Sequence, residues 1–113
     1  MTINEKIYFV YIMATTPRGP IYIGVTNDLV ARVAEHKSGV GSRHVKTYNI
    51  TRLVYFETHD NIDDAITREK RLKRWRRDWK DKLIEDQNPN WEDLTIKNLE
   101  SVSYTHLTLP TKA

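Results

Sequence analysis

The sequence contains no cysteine. That excludes a disulfide scaffold, a thiol nucleophile and every thiolate-ligated zinc or iron–sulfur site, and leaves no disulfide partner to expect. No apolar run approaches the roughly 18 residues of a membrane span. The start, Met1 to Lys6, lacks the basic opening and apolar stretch of a secretory signal. No internal repeat is visible. With 113 residues there is room for one domain and one core. The expectation is therefore a single-domain, soluble, cytoplasmic protein away from membranes.

What is present is charge, and it is unevenly placed. The net charge of +3 comes from 18 Lys and Arg against 15 Asp and Glu. Between Ile66 and Lys82 stand nine bases and three acids, a local net of +6; the remaining nine bases and twelve acids net −3. Arg68, Lys70, Arg71, Lys73, Arg74, Arg76 and Arg77 lie there beside Trp75 and Trp79. Bases clustered near aromatics suit a polyphosphate partner, because they neutralise phosphates and release counterions. The alternative is a solvated helix face carrying i,i+4 pairs such as Arg74–Asp78.

Ile7 to Met13 is a continuous apolar, β-branched and aromatic run, which predicts a strand covered on both faces. A turn rich in proline follows, and Ile21 to Val25 completes a hairpin. Asn27 is placed to cap a helix from about Asp28 to Lys37, with Asp28 in its first turn. Thr51 to Glu57 reads as a third strand. Asp60 can cap a helix from about Ile62 to Trp75, and a third, basic helix should run to about Asp86 before Asn88-Pro89. The order β-β-α-β-α-α predicts an α+β fold in which helices cover a small sheet.

Polar residues at apolar positions carry the chemistry. Ile62, Ala65, Ile66 and Leu72 define an apolar helix stripe, and Glu69 falls in its middle. A core-facing carboxylate needs a partner: an arginine in a buried ion pair, or a bound cation. Arg32 and His36, four residues apart, flank the apolar face marked by Leu29 and Val33. Tyr22 shares a strand face with Gly24, and Tyr11 can reach it across the hairpin. A phenol beside a residue without a side chain leaves a hollow at a hydroxyl. One carboxylate with oxygen donors suits Mg²⁺ or Mn²⁺. A guanidinium suits phosphate.

Phe9-Val10-Tyr11 and Tyr22-Ile23-Gly24, with their tyrosines eleven positions apart, resemble the paired motifs of the GIY-YIG nuclease family. Thr26 to Leu29, Arg32, Glu35 to Lys37, Tyr48 to Glu57, Ala65 to Lys70, Lys73 to Trp75, Asn88-Pro89 and Trp91 to Leu94 extend the likeness. It covers about residues 5–97 and is nearest to short stand-alone bacterial members, related to the amino-terminal nuclease domain of a bacterial excinuclease. The resemblance implies a small three-stranded mixed sheet flanked by helices. It implies Glu69 as the single ligand of a divalent metal, Mg²⁺ or Mn²⁺, and Arg32 as the phosphate contact. Tyr11 and Tyr22 match the tyrosine pair, one of which activates water, and His36 and Gly24 also match site positions. Lys46 and Tyr48 match residues near the site, and Asn88 is a candidate for an assisting asparagine. Phe9 replaces the glycine of the first motif, and no separate recognition domain is present.

The function implied is metal-dependent endonuclease cleavage of nucleic acid, DNA foremost, structure-selective or weakly sequence-selective, in repair, recombination or processing. The basic run would hold the backbone. The alternative is a non-catalytic nucleic-acid-binding module on the same fold, with Glu69 paired to Arg32. A third reading, a protein-interaction domain using Trp75, Trp79 and Trp91, leaves the basic run unexplained. Residues 98–113 read as a tail. Val102 to Ala113 resemble a translated sequencing-library adapter, so that stretch is expected to be an artefactual extension.

Overall fold

The computed structural model describes residues 7–39 and 48–95. Lys46 and the whole tail lie outside them. The elements run β1 (Tyr8–Ala14), β2 (Ile21–Thr26), α1 (Leu29–Lys37), β3 (Arg52–His59), α2 (Ile62–Arg74) and α3 (Arg77–Gln87). This is the α+β order expected. No helix among the described residues is long and apolar enough to cross a membrane.

The strand order is β2-β1-β3. As the central strand, β1 is buried from Val10 to Ala14, which explains its unbroken apolar run. Both pairings are antiparallel, so the mixed sheet that was expected is corrected to an antiparallel one. The reason lies in the crossover. β2 and β3 point the same way, but β1 stands between them, so the two never become hydrogen-bonded neighbours.

Alternation along β1 creates two cores. Val10, Ile12 and Ala14 face Ala65 and Leu72 of α2, Ile84 of α3 and Trp91. Tyr11 and Met13 face the other way, against Leu29 and Val33 of α1, Ile50 and Leu53.

α2 starts at Ile62 as expected, but both capping residues lie one position later than expected. Asp28, not Asn27, caps α1 by accepting from Ala31 N at 3.1 Å. Asn61, not Asp60, caps α2, its Oδ1 accepting from the backbone of Asp63 and Asp64. Each start offers two adjacent residues able to cap, and propensity does not rank them. α2 ends at Arg74 because Trp75 and Arg76 are extended, and α3 then starts afresh.

Candidate active site

Tyr11 and Gly24 are direct cross-strand partners in the β1–β2 hairpin. The face carrying Tyr11 also carries Tyr22, two residues from Gly24, so the phenols meet diagonally with ring centroids 6.2 Å apart. Gly24 makes this possible: a Cβ there would lie 2.6 Å from the Tyr11 hydroxyl oxygen and 2.8 Å from Cζ. The glycine is needed for close approach, as the alternation implied.

α1 supplies the third side. Its dipole-aligned start is fixed by Asp28, whose own N–H donates to Thr26 Oγ1 at 3.0 Å. Leu29 and Val33 anchor it to the sheet, and His36, further along the same face, follows them inward. His36 is only 3% exposed, and its Nε2 lies 3.1 Å from the Tyr11 hydroxyl. Its ring stands 5.7 Å from that of Tyr11 and 5.0 Å from that of Tyr22. His36 Nδ1 is buried with no hydrogen-bond partner among the described residues. Arg32, one turn back, stays partly open, pairs with Glu35 at 3.2 Å and lies beside the Tyr11 hydroxyl.

Electrostatics fix the resting protonation. Burial, then the neighbouring Tyr22 phenol, pushes the Tyr11 phenol up to about 12, against the pull of Arg32. Burial, then the Arg32 charge, holds His36 below its ordinary 6.5. At neutral pH the pair is therefore a neutral phenol and a neutral imidazole. A histidine that resists protonation in the fold contributes stability that is complete above about pH 6.5 and lost as pH falls toward the lower folded value. His36→Gln should consequently flatten the decline in melting temperature below about pH 6.5. Melting curves across pH for both proteins check this; parallel curves would refute it.

Glu69 departs from the expected position. Residues on a helix step by about 100°, so the stripe through Ala65 and Leu72 has Arg68 on one flank and Glu69 on the other. Ile62 and Ile66 are exposed, which moves the centre of the buried stripe away from Glu69. Arg68 reaches Glu57 on β3, so Glu69 lies on the side toward β2. Its carboxylate, 17% exposed, is paired with Lys73 at 2.9 Å. Among the described residues no hydrogen bond or ion pair joins it to Arg32, His36 or the tyrosines. Among the described residues no cluster of three or more His, Asp or Glu side chains could hold a metal. A single carboxylate is compatible with a hydrated hard cation that keeps most of its own waters. The Lys73 ammonium marks where a cation is already favoured.

The basic run divides. Lys70, Arg71 and Arg74 are exposed on the outer face of α2, opposite Ala65 and Leu72. Arg68 is half-buried and committed to Glu57 through two hydrogen bonds of 2.9 and 3.2 Å. Lys73 holds Glu69, Arg76 pairs with Asp78, and Arg77 pairs with Asp81 and donates to the Gly19 carbonyl. The expected Arg74–Asp78 pair is replaced by Arg76–Asp78.

Asn88 is structural, not part of this site. It is buried, donates to the carbonyls of Val54 and Glu92, and accepts from Glu92 N. Tyr48 is half-exposed, and its carbonyl accepts from Thr15 Oγ1 at 2.7 Å. Sequence reasoning missed the Glu57 cluster, although Tyr55, Glu57 and His59 alternate on one strand face opposite Arg68.

Residues 7–82 match the model of the GIY-YIG catalytic domain. A UPF0213 protein of Staphylococcus epidermidis is 35% identical over 79 residues, which is 70% of this chain and 95% of that protein. A UPF0213 protein of Staphylococcus aureus is 34% identical over 80 residues, 71% of this chain and 96% of that one. One from Haloquadratum walsbyi is 33% identical over 79 residues, 70% and 88% respectively. No solved structure matches. The two tyrosines, the glycine between them in space, and the matched span together place this chain in the GIY-YIG family, a nuclease family, alongside the short stand-alone UPF0213 proteins.

Proposed function

We propose that this protein is a metal-dependent endonuclease that hydrolyses phosphodiester bonds in DNA with weak sequence selectivity. The observation that carries the reading is the Tyr11–His36 hydrogen bond, buried beside Tyr22 and made possible by Gly24. Packing alone does not call for a phenol, an imidazole and a guanidinium against a glycine. Tyr22 is the phenol open to the solvent side, so it orients the attacking water. Tyr11 is wholly buried and acts through its neighbours: it fixes the His36 ring, which in turn packs on Tyr22. Arg32, partly exposed at the rim, donates to the non-bridging oxygens as charge builds on phosphorus.

Glu69 would hold Mg²⁺ or Mn²⁺, which when bound supplies charge neutralisation at the scissile phosphate and at the departing oxygen. Lys73 gives up the carboxylate on that occasion and is then free for backbone phosphate. Lys70, Arg71 and Arg74 hold the duplex through its phosphates. Such contacts position a substrate without reading its sequence, which favours structural over sequence selectivity. The non-catalytic alternative requires Glu69 to be the structural partner of Arg32, whereas Glu69 is paired with Lys73 and Arg32 with Glu35.

The test is nicking of duplex, flapped and branched DNA by the purified protein in Mg²⁺, in Mn²⁺ and in chelator. Cleavage that needs the metal, and that disappears in a Glu69→Gln protein melting within about 2 °C of the parent, is the expected result. The small thermal change is expected because Gln keeps the shape of Glu69 and its i,i+4 partner Lys73 is about half exposed, which limits the pair to about 0.3–0.5 kcal/mol. Binding without cleavage in either metal would reject the reading.

A further inference from the structure

α3 presents a second feature that the proposed chemistry does not use. Trp75, Trp79, Lys82, Leu83 and Asp86 line an open groove of about 350 Å³, within the range of small-molecule sites. Trp79 is 50% exposed, an unusual state for an indole. Trp75 meets it edge to face, 5.8 Å between centroids at 85°, and holds it upright. The Arg76 guanidinium lies 5.0 Å from the Trp79 ring centroid, and Arg68 lies 5.4 Å from that of Trp75.

We infer that this groove takes an unpaired nucleobase of the substrate strand, stacked on Trp79, so that the preferred substrate carries a single-stranded segment beside duplex. The inference rests on the nuclease reading for its substrate but on separate residues for its argument. The groove wall is aromatic and aliphatic, which suits the π-face of a base of any sequence. Asp86 on the rim repels phosphate, so the base and not the backbone enters, and its carboxylate can accept from a base N–H. The phosphates then fall on the bases outside the groove. Arg76 is held by the exposed pair with Asp78 and by the Trp79 ring, and Lys82 by a 3.5 Å contact with Asp86. Both are loosely held cations at the mouth of an aromatic site, continuous with Lys70, Arg71 and Arg74. That charge complementarity favours a nucleic-acid strand over an apolar partner helix.

The experiment measures binding of the full chain, in chelator so that cleavage plays no part, to labelled oligodeoxythymidylate and to a blunt duplex of equal phosphate number. The parent is expected to prefer the single strand. Trp79→Ala should weaken single-strand binding about tenfold or more while leaving the duplex within about twofold. Trp79→Phe should retain most of the affinity. The slope of log Kd against log salt should be unchanged in Trp79→Ala, but should shrink by about 0.7 in Arg71→Ala if that residue holds one phosphate. Equal losses on both ligands, or none on either, would overturn the inference. So would a Trp79→Ala change confined to sedimentation behaviour, which would instead assign the groove to protein contact. If the single-strand preference is found but no metal supports cleavage, the nuclease reading fails and the stacking site stands. Metal-dependent cleavage with a Trp79→Ala protein that binds like the parent would leave the nuclease reading standing and remove the stacking site.

Discussion

Gly24→Ala is expected to lower cleavage by about 10²- to 10³-fold while costing about 1–3 kcal/mol of stability. The added Cβ would stand 2.6 Å from the Tyr11 hydroxyl oxygen and 2.8 Å from Cζ, well inside contact distance. A flexible side-chain end could swing away; Tyr11 cannot, because its ring is wholly buried between Gly24, Tyr22 and His36. The phenol must shift by about 1 Å, a displacement that in a pre-organised site costs about a hundredfold. The same shift breaks the bond to His36 Nε2, and with it the packing that fixes Tyr22. The check is a pair of measurements on one preparation: nicking rate in saturating Mg²⁺, and urea denaturation. Parent-like nicking would show that the Tyr11–His36 geometry does not serve the reaction. A Tyr11→Phe/Gly24→Ala variant loses the 2.6 Å oxygen contact but keeps the ring carbon at 2.8 Å, so it should recover only part of the stability and none of the rate.

Much of this site was legible because strand alternation is strict. Tyr11, Tyr22 and Gly24 follow from period two, and a one-residue slip would have sent both phenols to the other face. His36 was harder. Four residues from Arg32, it reads equally as a surface residue, and only the docking of α1 through Leu29 and Val33 buries it. Glu69 shows the opposite failure. Ile62 and Ile66 set the phase of the helix in the sequence, yet the fold leaves both exposed and centres the stripe on Ala65 and Leu72. Hydrophobic periodicity weights residues by type, whereas the sheet chooses a face by what it can fill. The antiparallel β1–β2 hairpin was legible, but the β1–β3 pairing was not, since element order does not say that β1 separates β2 from β3. Asn88 resembled a site residue, but the backbone groups it satisfies come from β3 and from the segment after α3, a junction no local pattern records.

Glu57→Ala is expected to be strongly destabilising for a polar position on the far side of the sheet, about 2–4 kcal/mol. That is a large part of the roughly 5–15 kcal/mol that holds a domain together. The Glu57 carboxylate accepts from Tyr55 at 2.6 Å, from His59 Nε2 at 2.7 Å and from Arg68 at 2.9 and 3.2 Å. Burial acts to raise its pKa, but the hydrogen bonds from Arg68, Tyr55 and His59 outweigh burial and hold it below the ordinary 4.5. Its contribution is therefore present above about pH 4.5 and lost as pH falls through the lower folded value, a window separate from that of His36. Removing the carboxylate leaves a half-buried guanidinium and two polar side chains without their acceptor, and that desolvation, not the lost attraction, dominates the cost. The Glu57→Leu/Arg68→Met pair should accordingly be less destabilised than Glu57→Ala alone, because neither charge is then stranded. Urea denaturation of the single and double variants at pH 7 decides the matter. Additive losses would mean that Glu57 and Arg68 act independently. A positive coupling would mean that β3 and α2 are joined through this carboxylate, which also keeps Arg68 over Trp75 and so steadies the wall of the α3 groove.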